Sequence, residues 1–73
     1  MRIEFSEHAK QQLKRRRISQ QLVKEVIQSP EDKVPSFRER ELLQKHIGGK
    51  LLEVVTKREG LKIIVITAYY LED

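Results

Sequence analysis

The chain has no cysteine among its 73 residues. That excludes disulfide frameworks and thiolate metal sites, and it fits a reducing compartment. It also leaves a small core without a covalent staple. Stability then has to come from tight packing, self-association or a bound partner. No apolar run is long enough to span a bilayer, and no signal peptide is expected ahead of the fold. The expected location is the cytoplasm, with no membrane partner. Glycine is sparse, and Gly48-Gly49 lacks the lysine-serine pattern of a phosphate-binding loop. There is no H-x-x-x-H and no carboxylate cluster on one element, so metal-dependent hydrolysis fits poorly and no cofactor is expected. Ser6, Ser19, Ser29 and Ser36 all fall at predicted caps or turns, which are poor positions for a nucleophile. Repeats, low-complexity tracts and linkers are also missing, so residues 1–73 read as a single domain.

What the chain does have is positive charge. Fifteen basic residues against eleven acidic ones leave a net charge of +4. Lys10, Lys14, Arg15, Arg16 and Arg17 fall in one short segment, and Arg38, Arg40, Lys45 and Lys50 form a looser group. A basic balance favours a polyanionic partner such as nucleic acid; it also serves simply as a solvated face that keeps a small protein in solution.

The period of the apolar residues divides the chain in two. Phe5, Ala9 and Leu13 recur every four residues, and so do His8, Gln12 and Arg16, which predicts a helix with a polar row beside its apolar stripe. Ser6 is its expected N-cap, Glu7 suits the first turn, and Arg15-Arg16-Arg17 suits the negative C-terminal end. Ser19 caps a second helix, with Ile18 and Val23 at the spacing of a hydrophobic staple. Leu22, Val23, Val26 and Ile27 give it one apolar face, and Ser29-Pro30 ends it. Beyond Pro30 the period is two. Lys33 to Phe37 reads as a short edge strand because of Pro35. Glu41 to Ile47, Lys50 to Arg58 and Leu61 to Tyr70 read as three longer strands, with hairpin turns at Gly48-Gly49 and Glu59-Gly60. The fold class is therefore α+β: two N-terminal helices on a four-stranded antiparallel meander.

Two-residue turns fix an expected register. Lys45 lies opposite Leu52 and Leu52 opposite Thr67; Leu43 lies opposite Val54 and Val54 opposite Val65. One face then carries Leu43, Leu52, Val54, Ile63 and Val65, with Lys45, Thr67 and Tyr69 towards one end. The other carries Leu42, Leu51, Val55, Ile64, Ile66 and Ala68, with Arg40, Gln44, His46 and Glu53 among them. The helices are expected on the first face, since Glu53 in the middle of the second is costly to bury. The second face is then an apolar patch open to a partner or to a second copy of the chain.

In that arrangement His8, Arg16, Lys45, Thr67 and Tyr69 converge. His8 and Arg16 are separated by roughly 12 Å of helix, about the breadth of a nucleotide. A metal-free ribonuclease needs one group to take the 2′-hydroxyl proton, another to protonate the leaving 5′-oxygen, and a cation for the charged phosphorane. Histidine and tyrosine suit the first two roles, arginine or lysine the third. Lys14, Arg15, Arg17 and Arg40 are expected to contact the nucleic acid. Each residue also has a plainer use: His8 in packing or capping, Arg16 as a complement to the helix dipole, Tyr69 at the rim of the core.

These residues also resemble a family pattern. The opening is similar to S-x-H-A-x-x-R-M-x-x-R-G-I-S, followed by a helix ending in proline, a strand entering I-G-x-K, and a last strand V-x-V-T-x-Y. Ser6, His8, Ala9, Arg16, Ile18, Ser19, Pro30, Ile47-Gly48, Lys50, Val65, Thr67 and Tyr69 match. The pattern is that of the bacterial domain of unknown function 4258. Gln12 stands where the family often has arginine, and Arg17 where it often has glycine. The resemblance implies kinship with small toxin-like nucleases of the RelE, BrnT and colicin-nuclease type. It implies a RelE-like fold, metal-independent RNA cleavage, ribosome-associated RNA as a target and a cognate antitoxin as a partner. Two functions are carried forward. The first is a toxin-like endoribonuclease; the other is a non-catalytic module of a small bacterial or archaeal operon that binds nucleic acid or protein.

Overall fold

Ser6 is where the chain turns from strand to helix. The computed structural model describes residues 2–71. In it, β1 (Arg2–Phe5) leads directly into α1 (Glu7–Arg16). The Ser6 hydroxyl accepts from the Ala9 amide at 3.0 Å, which satisfies one of the free donors of the first turn. At the other end Arg17 adopts left-handed φ 58, ψ 41. The Ile18 amide then donates to the Leu13 carbonyl and the Arg17 amide to that of Lys14, the pattern of a Schellman closure. This reversal brings Ile18 into the same buried cluster as Leu13. Ser19 caps α2 (Gln20–Gln28) through the Leu22 amide at 3.0 Å.

Four further strands follow: β2 (Asp32–Pro35), β3 (Arg40–Ile47), β4 (Lys50–Glu59) and β5 (Lys62–Leu71). The result is an α+β fold with two helices and a five-stranded mixed sheet in the order β1-β5-β4-β3-β2. β1 runs parallel to β5, from Arg2 opposite Lys62 to Phe5 opposite Val65. This corrects the expected four-stranded antiparallel meander. Phe5 is spaced like a helical residue, yet it belongs to a strand in which Ile3 and Phe5 alternate with polar neighbours and pack against the core. β2 is the outer strand on the other side, as Pro35 requires.

Ala9, Leu13, Ile18, Val23 and Val26 from the helical half share one core with Leu43, Leu52, Val54, Val65 and Ala68 from the sheet. The Gly48-Gly49 hairpin has positive φ at both positions and sets Lys45 opposite Leu52, as expected. The second hairpin differs. Its turn is Gly60-Leu61, with Glu59 opposite Lys62. Further along, Thr56 faces Val65 but Val55 faces Thr67, so Ile66 is an extra residue, a β-bulge. Leu52 therefore lies opposite Tyr70, not Thr67, and Val54 opposite Ala68, not Val65. Past the bulge the alternation is reversed. Ala68 and Tyr70 join the helix-covered core, while Thr67 and Tyr69 lie on the other face with Val55 and Glu53. Among the described residues, no helix is long and apolar enough to cross a membrane.

Candidate functional site

β1 ends opposite Val65, so the rest of β5 has no strand neighbour on that side. α1 supplies the missing partners. Arg16 Nη1 donates to the Ala68 carbonyl at 2.9 Å and to Thr67 Oγ1 at 3.0 Å. Thr67 in turn donates its hydroxyl hydrogen to Gln12 Oε1 at 2.7 Å. The Arg16 guanidinium lies over the Tyr69 ring, 5.9 Å from its centre, within cation–π range. The four-residue spacing of Gln12 and Arg16 is what lets both reach one threonine.

The contacts continue across the open face of the sheet. Gln44, Glu53 and Tyr69 lie opposite one another on three neighbouring strands. Gln44 Nε2 donates to Glu53 Oε1 at 2.6 Å, and the Tyr69 hydroxyl donates to Glu53 Oε2. Glu53 is only 5% exposed, although no helix covers it. Its burial is offset by these two bonds, so the carboxylate expected to resist burial is buried and paired. Burial and the Glu53 carboxylate together push the Tyr69 phenol up to about 12. The phenol therefore stays protonated through the physiological range. The next row of the same face is Leu42, Val55 and Thr67.

Arg16, Thr67 and Tyr69 are thus brought together. His8 is exposed on α1, one helical turn before Gln12, and continues the row towards solvent. Lys45 is not part of the cluster. It stands between Leu43 and Ile47, whose side chains belong to the helix-side core, and so lies on the face opposite Tyr69. The bulge at Ile66 is the reason: in an unbroken register Thr67 and Tyr69 would share the face of Lys45.

Lys14, Arg15 and Arg17 are exposed at the C-terminal end of α1. Arg40 is remote from them. It follows a tight turn in which Arg38 and Glu39 both have φ 61. It lies opposite Lys57, and Lys57 opposite Ile64, four residues before Ala68 and two strands away, roughly 16 Å from it. Arg40 lines a cleft with Pro35, Ser36, Glu39, Glu41 and Arg58. Its Nε is buried without a hydrogen-bond partner among the described residues. A second polar contact lies at the far end of β3, where Glu31 Oε1 meets both the His46 ring Nδ1 at 2.8 Å and the His46 amide at 3.2 Å. These bonds hold the Glu31 carboxyl below its ordinary range.

A profile of the family described as domain of unknown function (DUF4258) matches residues 5–70. The chain belongs to the DUF4258 family. No curated protein and no solved structure matches it. The DUF4258 match takes in both helices, the bulge and every member of the Gln12, Arg16, Gln44, Glu53, Thr67 and Tyr69 cluster. Three of these, Gln12, Gln44 and Glu53, were not among the residues expected at a site. The one sequence signal for Glu53 was a carboxylate inside the apolar run Leu51-Leu52-Glu53-Val54-Val55.

Proposed function

We propose that this DUF4258 chain is a toxin-like endoribonuclease that cleaves RNA without a metal ion, with the open sheet face beside β5 as its working surface. A RelE-like character of the fold, and kinship with RelE- and BrnT-type toxins, are part of this proposal. The observation that carries it is the setting of Arg16. Nη1 spends its two hydrogens on Thr67 and Ala68, which leaves Nε and Nη2 without a partner among the described residues. A guanidinium anchored through one nitrogen, beside a phenol and with donors to spare, is prepared to take a phosphodiester.

In this reading Arg16 holds the scissile phosphate and offsets the charge of the phosphorane. Tyr69 lies beside the attacking 2′-hydroxyl, and His8 protonates the leaving 5′-oxygen. The product is a 2′,3′-cyclic phosphate with a free 5′-hydroxyl. Lys14, Arg15 and Arg17 extend the contact along the RNA backbone. Lys45, on the helix face, has no role in this scheme. A cognate antitoxin fits as the partner that covers the open face, and so does a second copy of the chain seated on Leu51, Ile64 and Ile66. Either would exclude RNA from the same surface.

One observation favours the non-catalytic binding module. Gln12, one turn before Arg16, carries no charge, and its acceptor is spent on Thr67. The row therefore offers one arginine to a phosphate instead of two. Incubation of a mixed RNA with the purified chain in EDTA separates the readings. Fragments ending in cyclic phosphate are expected from wild type and not from Arg16→Ala. RNA binding without cleavage would leave the module.

A further inference from the structure

Glu53 is the least expected side chain on the sheet. It stands in the middle of an apolar strand, 5% exposed, on the face the helices leave free. A carboxylate in that position is costly, and a leucine or valine would pack there at no such cost. Both of its oxygens are occupied from the protein side, one by Gln44 and one by Tyr69. A ligand on the open face therefore meets the phenol and not the carboxylate.

We infer that Glu53 is a positioning residue that acts through Tyr69 as the final proton acceptor of the RNA cleavage site. This rests on the ribonuclease reading above and assigns to it a group that reading does not contain. As the ribose 2′-oxygen bonds to phosphorus, its proton passes to the Tyr69 oxygen. The phenolic proton passes at the same moment to Glu53 Oε2. The bond from phosphorus to the 5′-oxygen breaks, and that oxygen leaves with a proton from the His8 imidazolium. After product release Glu53 returns its proton to solvent through the phenol, and His8 regains one from water. The protein ends the cycle with the charge it began with.

Three observations support this path. Tyr69 donates its hydroxyl to Glu53, and the Arg16 guanidinium carbon lies over its ring, 5.9 Å from the centre. A phosphate held on the free nitrogens of Arg16 would thus bring its ribose against the phenol. A phenol whose proton is held as firmly as that of Tyr69 is a poor base alone, so the charge has to pass to a partner. Gln44 fixes the second carboxylate oxygen, so that Oε2 remains directed at the phenol.

The test uses the whole chain and two substrates, an RNA oligonucleotide and uridine 3′-(4-nitrophenyl phosphate), whose leaving group needs no protonation. Glu53→Gln retains an acceptor for the Tyr69 hydroxyl but cannot accept its proton. It is expected to lower kcat by about a hundredfold on both substrates, with KM changed less than about twofold. Full activity of Glu53→Gln beside an active wild type would overturn the relay and leave the ribonuclease reading intact. Loss on RNA alone, with the nitrophenyl ester cleaved normally, would place the pair on the leaving-group side and overturn the transfer from the 2′-oxygen to Glu53. A folded wild type inactive on both substrates would remove the ribonuclease reading and this inference together. Should Glu53→Gln fail to give a cooperative thermal transition, Tyr69→Phe replaces it, with the same expected loss and the same overturning result.

Discussion

Arg16 and Thr67 stand 51 residues apart in the chain and 3.0 Å apart in space. The contact ties the last turn of α1 to the unpaired stretch of β5. Arg16→Ala removes it together with the bond to the Ala68 carbonyl. A loss of about 1 kcal/mol in urea unfolding is expected, with cooperativity retained, because the side chain is exposed and water can replace it. Arg16→Lys keeps the charge but not the planar fork. Its stability should lie between wild type and Arg16→Ala, and any RNA cleavage should fall close to that of Arg16→Ala.

Arg17 holds a left-handed conformation that glycine adopts without strain. Arg17→Gly should therefore stabilise the chain by about 1 kcal/mol, read as a shift of the urea midpoint at constant slope. The arginine at this position is therefore a local conformational cost in this chain. If Arg17 contacts RNA, the same variant should bind less tightly and with a salt slope smaller by about one. Stability and affinity would then move in opposite directions.

Tyr69 should ionise far above the ordinary tyrosine range. In Tyr70→Phe it is the one tyrosine left, and its absorbance change near 295 nm should centre at about 12. Adding Glu53→Gln should lower that midpoint, because a neutral amide no longer repels the phenolate. The sign for stability follows from linkage. The folded state holds the phenolic proton more tightly than the unfolded state, so this contribution is complete below pH 10 and is lost as pH rises from 10 to about 12.

The basic end of α1 gives a further measurement. Affinity for single-stranded RNA should fall steeply with added salt, and Lys14→Ala and Arg15→Ala should each reduce the slope of log K against log salt by about one. Arg40→Ala should leave the slope unchanged, since Arg40 is two strands away at the other end of the sheet. A salt-independent affinity would remove nucleic acid as the partner of this surface.

Local signals in the sequence were enough for the helices. Ser6 and Ser19 each cap through their hydroxyl, and Ser29-Pro30 closes α2. The Gly48-Gly49 hairpin was equally legible, since both positions need positive φ and both are glycine. Glu59-Gly60 and Gly60-Leu61 share their glycine, and Leu61, an apolar residue 86% exposed in a turn, gives composition nothing to choose by. β1 is four residues long and is held by a parallel partner sixty residues away, so nothing local marks it. The bulge at Ile66 is set by how β5 packs on β4, and an isoleucine there reads as an ordinary strand residue. Arg16, Thr67 and Tyr69 were identifiable by residue type, but the face on which they meet was not.

That extra residue makes β5 a strand with two phases. Before Ile66 it pairs with β1 and lines the core through Val65; after it, Ala68 takes over the core and Thr67 and Tyr69 face outward. Val65 and Thr67, two positions apart, therefore face opposite ways. Removing Ile66 would change neither the cluster residues nor the charge of the chain. It would join the two phases into one regular alternation, with Thr67 still opposite Val55 and Tyr69 still opposite Glu53. The bulge is thus a place where the strand can lose a residue while the cluster keeps all its partners.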